Sequence, residues 1–293
     1  MATLANRAVL ETEKERGPSL AVRTFALVIA ALIIAVYAGE MQRLVGTWLD
    51  HEALSYGLLV PPLAAYLAWL RRKQIASIPG DTDLWGLLLV AAASGLFLAG
   101  KLGAEFFLSR TSLVLLLAGL VWTFWGRKRL QILVFPLIVL ASAIPLPMLL
   151  YNNLTLPLQL LASGLSTKLI QALGYSIYQN GNVLHLPSIT LGVAEACSGL
   201  NSLGALMVGS LVIGFAVCRR VSGRVLLFSL AIPVAIGVNV IRIVGTALVG
   251  DYNSEFALGF YHSFSGWLVF VFGVGMMLLF AKLIHRFIDR EHA

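Results

Sequence analysis

With 59% hydrophobic and 12% charged residues among 293, the chain is far from a soluble domain, where about half the residues are apolar and about a quarter charged. A mean hydropathy of +0.87 fits a polytopic membrane protein. The net charge of +7 does not signal nucleic acid, because the basic residues fall in short clusters between apolar runs, as loops on one side of a membrane do.

Residues 1–21 are polar and mixed in charge, with Glu11, Glu13, Lys14, Glu15 and Arg16. No cleavable signal is expected, and the apolar segment that follows reads as a retained first helix. Apolar stretches of roughly spanning length, about 20 residues, then occur at 22–40, 54–70, 84–100, 106–126, 130–150, 197–218, 225–249 and 264–285. Residues 22–285 are therefore expected to form one polytopic domain, between a cytoplasmic N-terminal segment and a basic cytoplasmic tail at 286–293.

Between the fifth and sixth stretches, residues 151–196 do not read as a span. Pro145, Pro147 and Pro157 break the approach. Leu158, Leu161, Leu165, Leu169 and Leu173 recur at helical spacing with Ser163, Ser166, Thr167 and Lys168 among them. That pattern predicts an amphipathic helix over 154–173, interfacial or re-entrant. Asn180-Gly181 is a hairpin signal, since the central positions of that turn need positive φ. A short β-hairpin outside the hydrocarbon is expected, ending just before Cys197.

The fold class is thus an all-α integral membrane protein with about eight transmembrane helices, both termini inside, an interfacial helix and a short outer hairpin. In that arrangement sixteen Lys and Arg residues lie inside and Arg43, Lys101, Arg110 and Lys168 outside, with Arg242 alone in a span. So lopsided a distribution supports the orientation.

Three chemically capable residues then approach the outer face. Cys197 sits at the start of span six, near a helix N-terminus whose dipole favours a thiolate. Glu195, Ser198 and Gly199 surround it. Glu195 could orient a histidine, bind substrate or cap the helix. Cys218, the second cysteine, lies 21 residues on, about 31 Å along a helix, beyond disulfide reach. Packing is the ordinary role of a membrane cysteine. Arg242 lies about 10 Å below the outer end of span seven, where a charge is costly and by default functional. Asn239 and Thr246 share its helix face. His262 opens span eight. The other four histidines read as solvated or interfacial. Gly204, Gly209, Gly214, Gly266, Gly273 and Gly275 read as helix-packing positions. No phosphate-binding loop, HExxH or CxxC occurs, so no cofactor or metal is expected. Thiolate, proton shuttle and fixed cation together suit acyl transfer or peptide cleavage through a thioester.

At these residues the chain resembles the exosortase family of bacterial inner-membrane cysteine transpeptidases. The resemblance rests on "EACSGLN" with Cys197, "NVIRI" with Arg242 and "HSFSGW" with His262, in that order, and on "SYGLLVPPLAAYLAWL" at 55–70. Tyr56 stands where many members carry histidine, a variant away from the chemistry, and Asn201 where many carry a basic residue. The resemblance implies catalytic Cys197, Arg242 and His262, with Glu195, Ser198 and Asn239 supporting or binding substrate. It also implies an active site facing the periplasm. The implied partners are membrane lipid and exported proteins bearing a C-terminal motif such as Pro-Glu-Pro, a transmembrane helix and a basic tail. Cleavage near the motif and transfer to an acceptor are the implied reaction, often beside exopolysaccharide and biofilm genes. The rival readings are a transporter or flippase for an anionic lipid or glycan, and a membrane protease without transfer.

Overall fold

The computed structural model describes residues 20–193 and 199–288, the side chains of residues 20–23, 26, 52, 53, 199–202, 258, 262 and 263 excepted. About 82% of the described residues are helical, which together with the apolar spans below supports the all-α membrane class. It divides into two compact units, residues 1–44 and 45–293. The boundary falls within the first helix, α1 (Leu20–Asp50). In the first unit Arg43 Nη2 donates to Glu40 Oε1 at 2.8 Å, one helical turn apart.

The second unit continues through a 3₁₀ turn (Glu52–Leu58), α2 (Val60–Leu70) and α3 (Arg72–Ser77). Pro61 and Pro62 sit at the start of α2, where a missing N–H costs nothing. Next come α4 (Gly86–Leu102) and α5 (Phe106–Ala141). Gly126 breaks α5 with φ 80° and ψ 165°. A Cβ there would stand 2.7 Å from the Asp81 carbonyl oxygen, so both backbone angle and space call for glycine. The break falls at the end of the fourth expected stretch, before Arg127, Lys128 and Arg129.

The fifth expected stretch, 130–150, is cut short. Its helix ends at Ala141, and Ser142–Pro147 turn the chain before α6 (Met148–Ala172) begins. Pro145 and Pro147 cannot extend a helix behind them. The helix expected over 154–173 therefore starts a turn and a half earlier, and Pro157 lies within it. Its sides are inverted relative to a soluble helix. Thr155, Ala162, Ser163, Ser166, Thr167 and Ile170 are buried, whereas Leu154, Leu161, Leu165 and Leu169 are exposed. A leucine face turned outward and a small polar face turned inward suit a lipid surround, where small residues let helices approach closely.

The hairpin is present and carries a third strand. Strands β1 (Tyr178–Asn180), β2 (Val183–His185) and β3 (Thr190–Gly192) form an antiparallel sheet in that order. Asn180 pairs with Val183, so the turn is centred on Gly181 and Asn182, one residue later than expected. Gly181 has φ 60°, and Asn182 is not among the positive-φ residues, the pattern of a type II′ turn with glycine first.

The last elements are α7 (Gly199–Val217), α8 (Val221–Tyr252), a three-residue turn (Ser254–Phe256), a π turn (Ala257–Tyr261) and α9 (His262–Phe287). All eight expected apolar stretches fall largely or wholly on helix. Among the described residues four helices are long and apolar enough to cross a membrane: Leu27–Asp50, Phe106–Ala141, Val221–Tyr252 and Phe264–Phe287. Leu54–Leu70, Gly86–Leu102 and Leu203–Val217 are apolar but shorter.

Two cores meet on α8. One joins Leu184, Leu186, Ile189, Leu191 and Val193 of the sheet region to Ala162 and Ile170 of α6 and to Val240, Ile243, Val244 and Ala247 of α8. The other joins Leu227, Ala231, Val234, Ala235 and Val238 of α8 to Leu206 of α7 and Val269, Met277, Ala281 and Ile284 of α9. Period-3.6 geometry puts these two sets on different sides of α8.

Candidate functional site

A polar stripe runs along α8 between the two cores. Asn239, Arg242 and Thr246 lie three and four residues apart on one face, all buried. Thr246 Oγ1 donates to the Arg242 carbonyl oxygen at 2.9 Å. Its hydroxyl is thus used within its own helix. Asn239 differs. It is 7% exposed, and its Oδ1 has no hydrogen-bond partner. An orphaned buried acceptor costs about 1–3 kcal/mol, so such a group needs a reason.

Arg242 is 8% exposed. Its guanidinium lies against the backbone of α9. A Cβ on Gly266 would stand 3.3 Å from Nη2 and 3.4 Å from Cζ. Gly266 was expected to serve helix packing; what it makes room for is the arginine. His262, the first residue of α9, precedes Gly266 by one turn. Sequence order alone does not reveal this, because the two helices are joined by a loop whose path decides which faces meet. The side chain of His262 lies outside the described residues, as do Glu195, Cys197 and Ser198 altogether.

The loop that delivers His262 is anchored at three points. Asn253 Oδ1 accepts from Phe256 N at 3.0 Å and starts the turn. Ala257 packs at Gly250, where an added Cβ would come within 3.3 Å of it. The π turn breaks helical geometry at Gly259, with φ −89° and ψ −108°. It then brings the Tyr261 hydroxyl against Gly245, one turn above the Arg242 level. Tyr261 immediately precedes His262, so this contact sets where α9 begins. A π turn is invisible to hydrophobic periodicity, though such turns concentrate at functional sites.

The sheet anchors the other approach. Val193 is buried at 1% and donates its N–H to the Asn182 carbonyl at 2.8 Å. Val193, four residues before Cys197 in sequence, thus lies beside an edge strand packed on the Arg242 helix. Ile189, in the β2–β3 loop, fills the space over Gly250. Asp251 accepts from Ser188 N at 3.3 Å, which ties that loop to the end of α8.

Of the other glycines expected at packing positions, three are packed and two are not. A Cβ on Gly204 of α7 would stand 2.7 Å from Tyr56 Cε1. Tyr56 therefore packs against α7, the helix that follows Cys197 in sequence. Gly214 and Gly273 pack against Leu227 and Leu206 as expected, but Gly209 and Gly275 face open space. Trp48 donates its Nε1–H to the Ala143 carbonyl at 3.0 Å and packs on Gly57.

A multi-helix membrane protein with a buried arginine facing the start of its last helix is the class that these observations define. The comparison with known families agrees: residues 48–281 match the transmembrane exosortase family (Exosortase_EpsH), about four fifths of the chain. The chain belongs to that family, and membership carries a general role as a membrane transpeptidase or protease. No curated protein and no solved structure matches it.

Proposed function

We propose that the protein is a cysteine transpeptidase that works at the periplasmic face of the inner membrane through an acyl-enzyme on Cys197. The observation that carries this reading is the buried Arg242 beside Gly266, one turn from His262, in a chain of the exosortase family. A guanidinium held in a nearly water-free wedge is worth far more to a developing anion than one in water.

In this mechanism the Cys197 thiolate attacks the scissile carbonyl of an exported protein near its C-terminal motif. His262 takes and returns the proton, giving it to the leaving amine as the C–N bond breaks. Arg242 steadies the oxyanion or grips a substrate carboxylate through its two-pronged donor set. Asn239 Oδ1 accepts from a substrate N–H, which satisfies the orphaned acceptor. An acceptor nucleophile, or water, then releases the thioester. Glu195 and Ser198 support the thiolate or bind substrate.

The substrate's own helix approaches from within the bilayer. A groove of about 370 Å³ lies between α8 and α9, lined by Leu230, Pro233, Gly237, Ile241, Phe272 and Met276. Ile241 adjoins Arg242, and Leu230 lies about 17 Å further along the helix. Side chains of a helix laid in this groove would reach the hydrocarbon end of the wedge. The basic clusters support a reading in which the groove's far end lies inside and Arg242 lies toward the periplasmic side of an inner membrane.

The test is processing of an exported protein with a motif, helix and basic tail, compared across Cys197→Ala, Arg242→Gln and His262→Ala proteins shown to be folded and inserted. Each substitution is expected to abolish processing. Normal processing by Cys197→Ala would refute the cysteine mechanism, and transport of a lipid or glycan that survives that substitution would favour a transporter.

A further inference from the structure

At the opposite end of the second unit from Arg242, two arginines from distant segments share one aromatic ring. The Cζ of Arg71, between α2 and α3, lies 4.3 Å from the centre of Phe215, and the Cζ of Arg224, in the first turn of α8, lies 4.8 Å from it. Phe135 stacks on Phe215 at 3.7 Å with the planes 7° apart. That leaves the opposite face for both guanidinium groups. Cation–π attraction accounts for each arginine singly. It does not account for two like charges gathered on one ring.

No carboxylate among the described residues neutralises the pair, and the Arg71 guanidinium makes no hydrogen bond. Arg224 donates Nε–H to the Cys218 carbonyl at 3.0 Å and Nη2–H to the Arg219 carbonyl at 3.5 Å, which holds it at the C-terminal end of α7 and offsets part of its charge without a carboxylate. Helix α8 adds to the imbalance: Arg220 is its N-cap, and its first turn has no acidic residue. Positive side chains at the positive end of a helix are unfavourable. Burial, and then the charge of Arg224, depress the Arg71 pKa. The arrangement has the form of an anion seat: opposed cations, a rigid aromatic floor and a helix N-terminus.

The depth of the seat points to the anion. Tyr66 and Trp69, at the end of α2, are each 54% exposed and stack at 5.9 Å. Arg72 lies over Trp69 at 3.8 Å. Exposed tyrosine and tryptophan beside arginine mark the headgroup level of a bilayer. We infer that Arg71 and Arg224, floored by Phe215, bind a phosphate group, and that the phosphodiester of an anionic phospholipid is its source. Two guanidinium groups can each give a forked pair of N–H bonds to such an anion. A bound headgroup would join α2, α7 and α8 at one point and so steady the helix pair whose far ends carry the candidate site.

The test uses the full-length protein in detergent, titrated separately with dioleoyl phosphatidylglycerol, dioleoyl phosphatidylcholine and inorganic phosphate. Lipid adducts are counted by native mass spectrometry, and melting is followed by tryptophan fluorescence. Phosphatidylglycerol is expected to bind saturably and raise Tm, with phosphatidylcholine at least about tenfold weaker. Arg71→Gln should weaken phosphatidylglycerol binding about tenfold, and Arg71→Lys should restore part of it. Phe215→Leu, which keeps both charges but removes the floor, should also weaken it. Arg127→Gln, in the basic cluster that follows the Gly126 break of α5, should not. These variants avoid Arg224, whose backbone hydrogen bonds close the α7–α8 turn. Stabilisation by phosphate as well as by lipid, lost in Arg71→Gln, would support the seat and add free phosphate as an occupant. Equal phosphatidylglycerol binding by wild type and Arg71→Gln, or no preference over phosphatidylcholine, would overturn the inference.

Discussion

Replacing Gly245 by alanine tests how the α8–α9 loop sets the site. The Tyr261 hydroxyl occupies the space a Cβ at Gly245 would need. To restore ordinary contact the tyrosine ring must retreat by about 1 Å. Tyr261 is bonded directly to His262, so the start of α9 moves with it. A misplacement of about 1 Å in a catalytic constellation costs about 100-fold in rate, and overpacking costs about 1–3 kcal/mol in stability. Two further glycines provide a scale. A Cβ at Gly266 would meet Arg242 Nη2 at 3.3 Å and Cζ at 3.4 Å, whereas at Gly237 it meets nothing within 4 Å. The Gly266→Ala enzyme should lose about fivefold or less, since a shift of tenths of an ångström suffices, and Gly237→Ala should keep the wild-type rate. The assay is a cleavage time course on a tripartite-signal substrate in nanodiscs, with melting curves to separate rate from folding. Wild-type cleavage by a folded Gly245→Ala protein, or a rank order other than Gly245, Gly266, Gly237, would refute the reasoning.

Asn239→Ala should lower the cleavage rate about tenfold while leaving Tm unchanged or higher, because it removes an orphaned buried acceptor; a loss of both would assign Asn239 a structural role. Leu184→Ala and Ile243→Ala, at 0% and 1% exposure, should each destabilise the sheet–α8 core by about 2–5 kcal/mol in an unfolding titration, and unchanged midpoints would contradict the packing described. Trp48→Phe should cost about 1 kcal/mol through the lost bond to Ala143, measured by thermal melt, with no effect on cleavage rate beyond that of stability. A rate loss with an unchanged melt would place Trp48 in the site instead.

The membrane class and the apolar helices were legible because hydropathy reports burial in lipid directly. Arg242 was legible for the same reason: a charge in a span is anomalous wherever the fold puts it. The partners of that charge were not. Gly266 carries no side chain to advertise a role, and its meeting with Arg242 depends on how the outer loop returns. The third strand was hidden because Thr190, Leu191 and Gly192 are too few to show alternation. Its pairing with β2 is set by the hairpin, not by its own sequence. The end of the fifth stretch was misplaced because Leu149, Leu150 and the residues before Pro145 are equally apolar. Hydropathy continues there, while Pro145 and Pro147 stop the helix. Tyr56 was judged from its motif, whereas its packing on Gly204 is a contact across about 150 residues of chain.

Intact mass spectrometry of the protein trapped with a tripartite-signal substrate tests the central claim most directly. The account predicts a substrate fragment attached through a thioester to Cys197 in the wild type and absent from Cys197→Ala. Equal processing by both proteins with no adduct on either would contradict it.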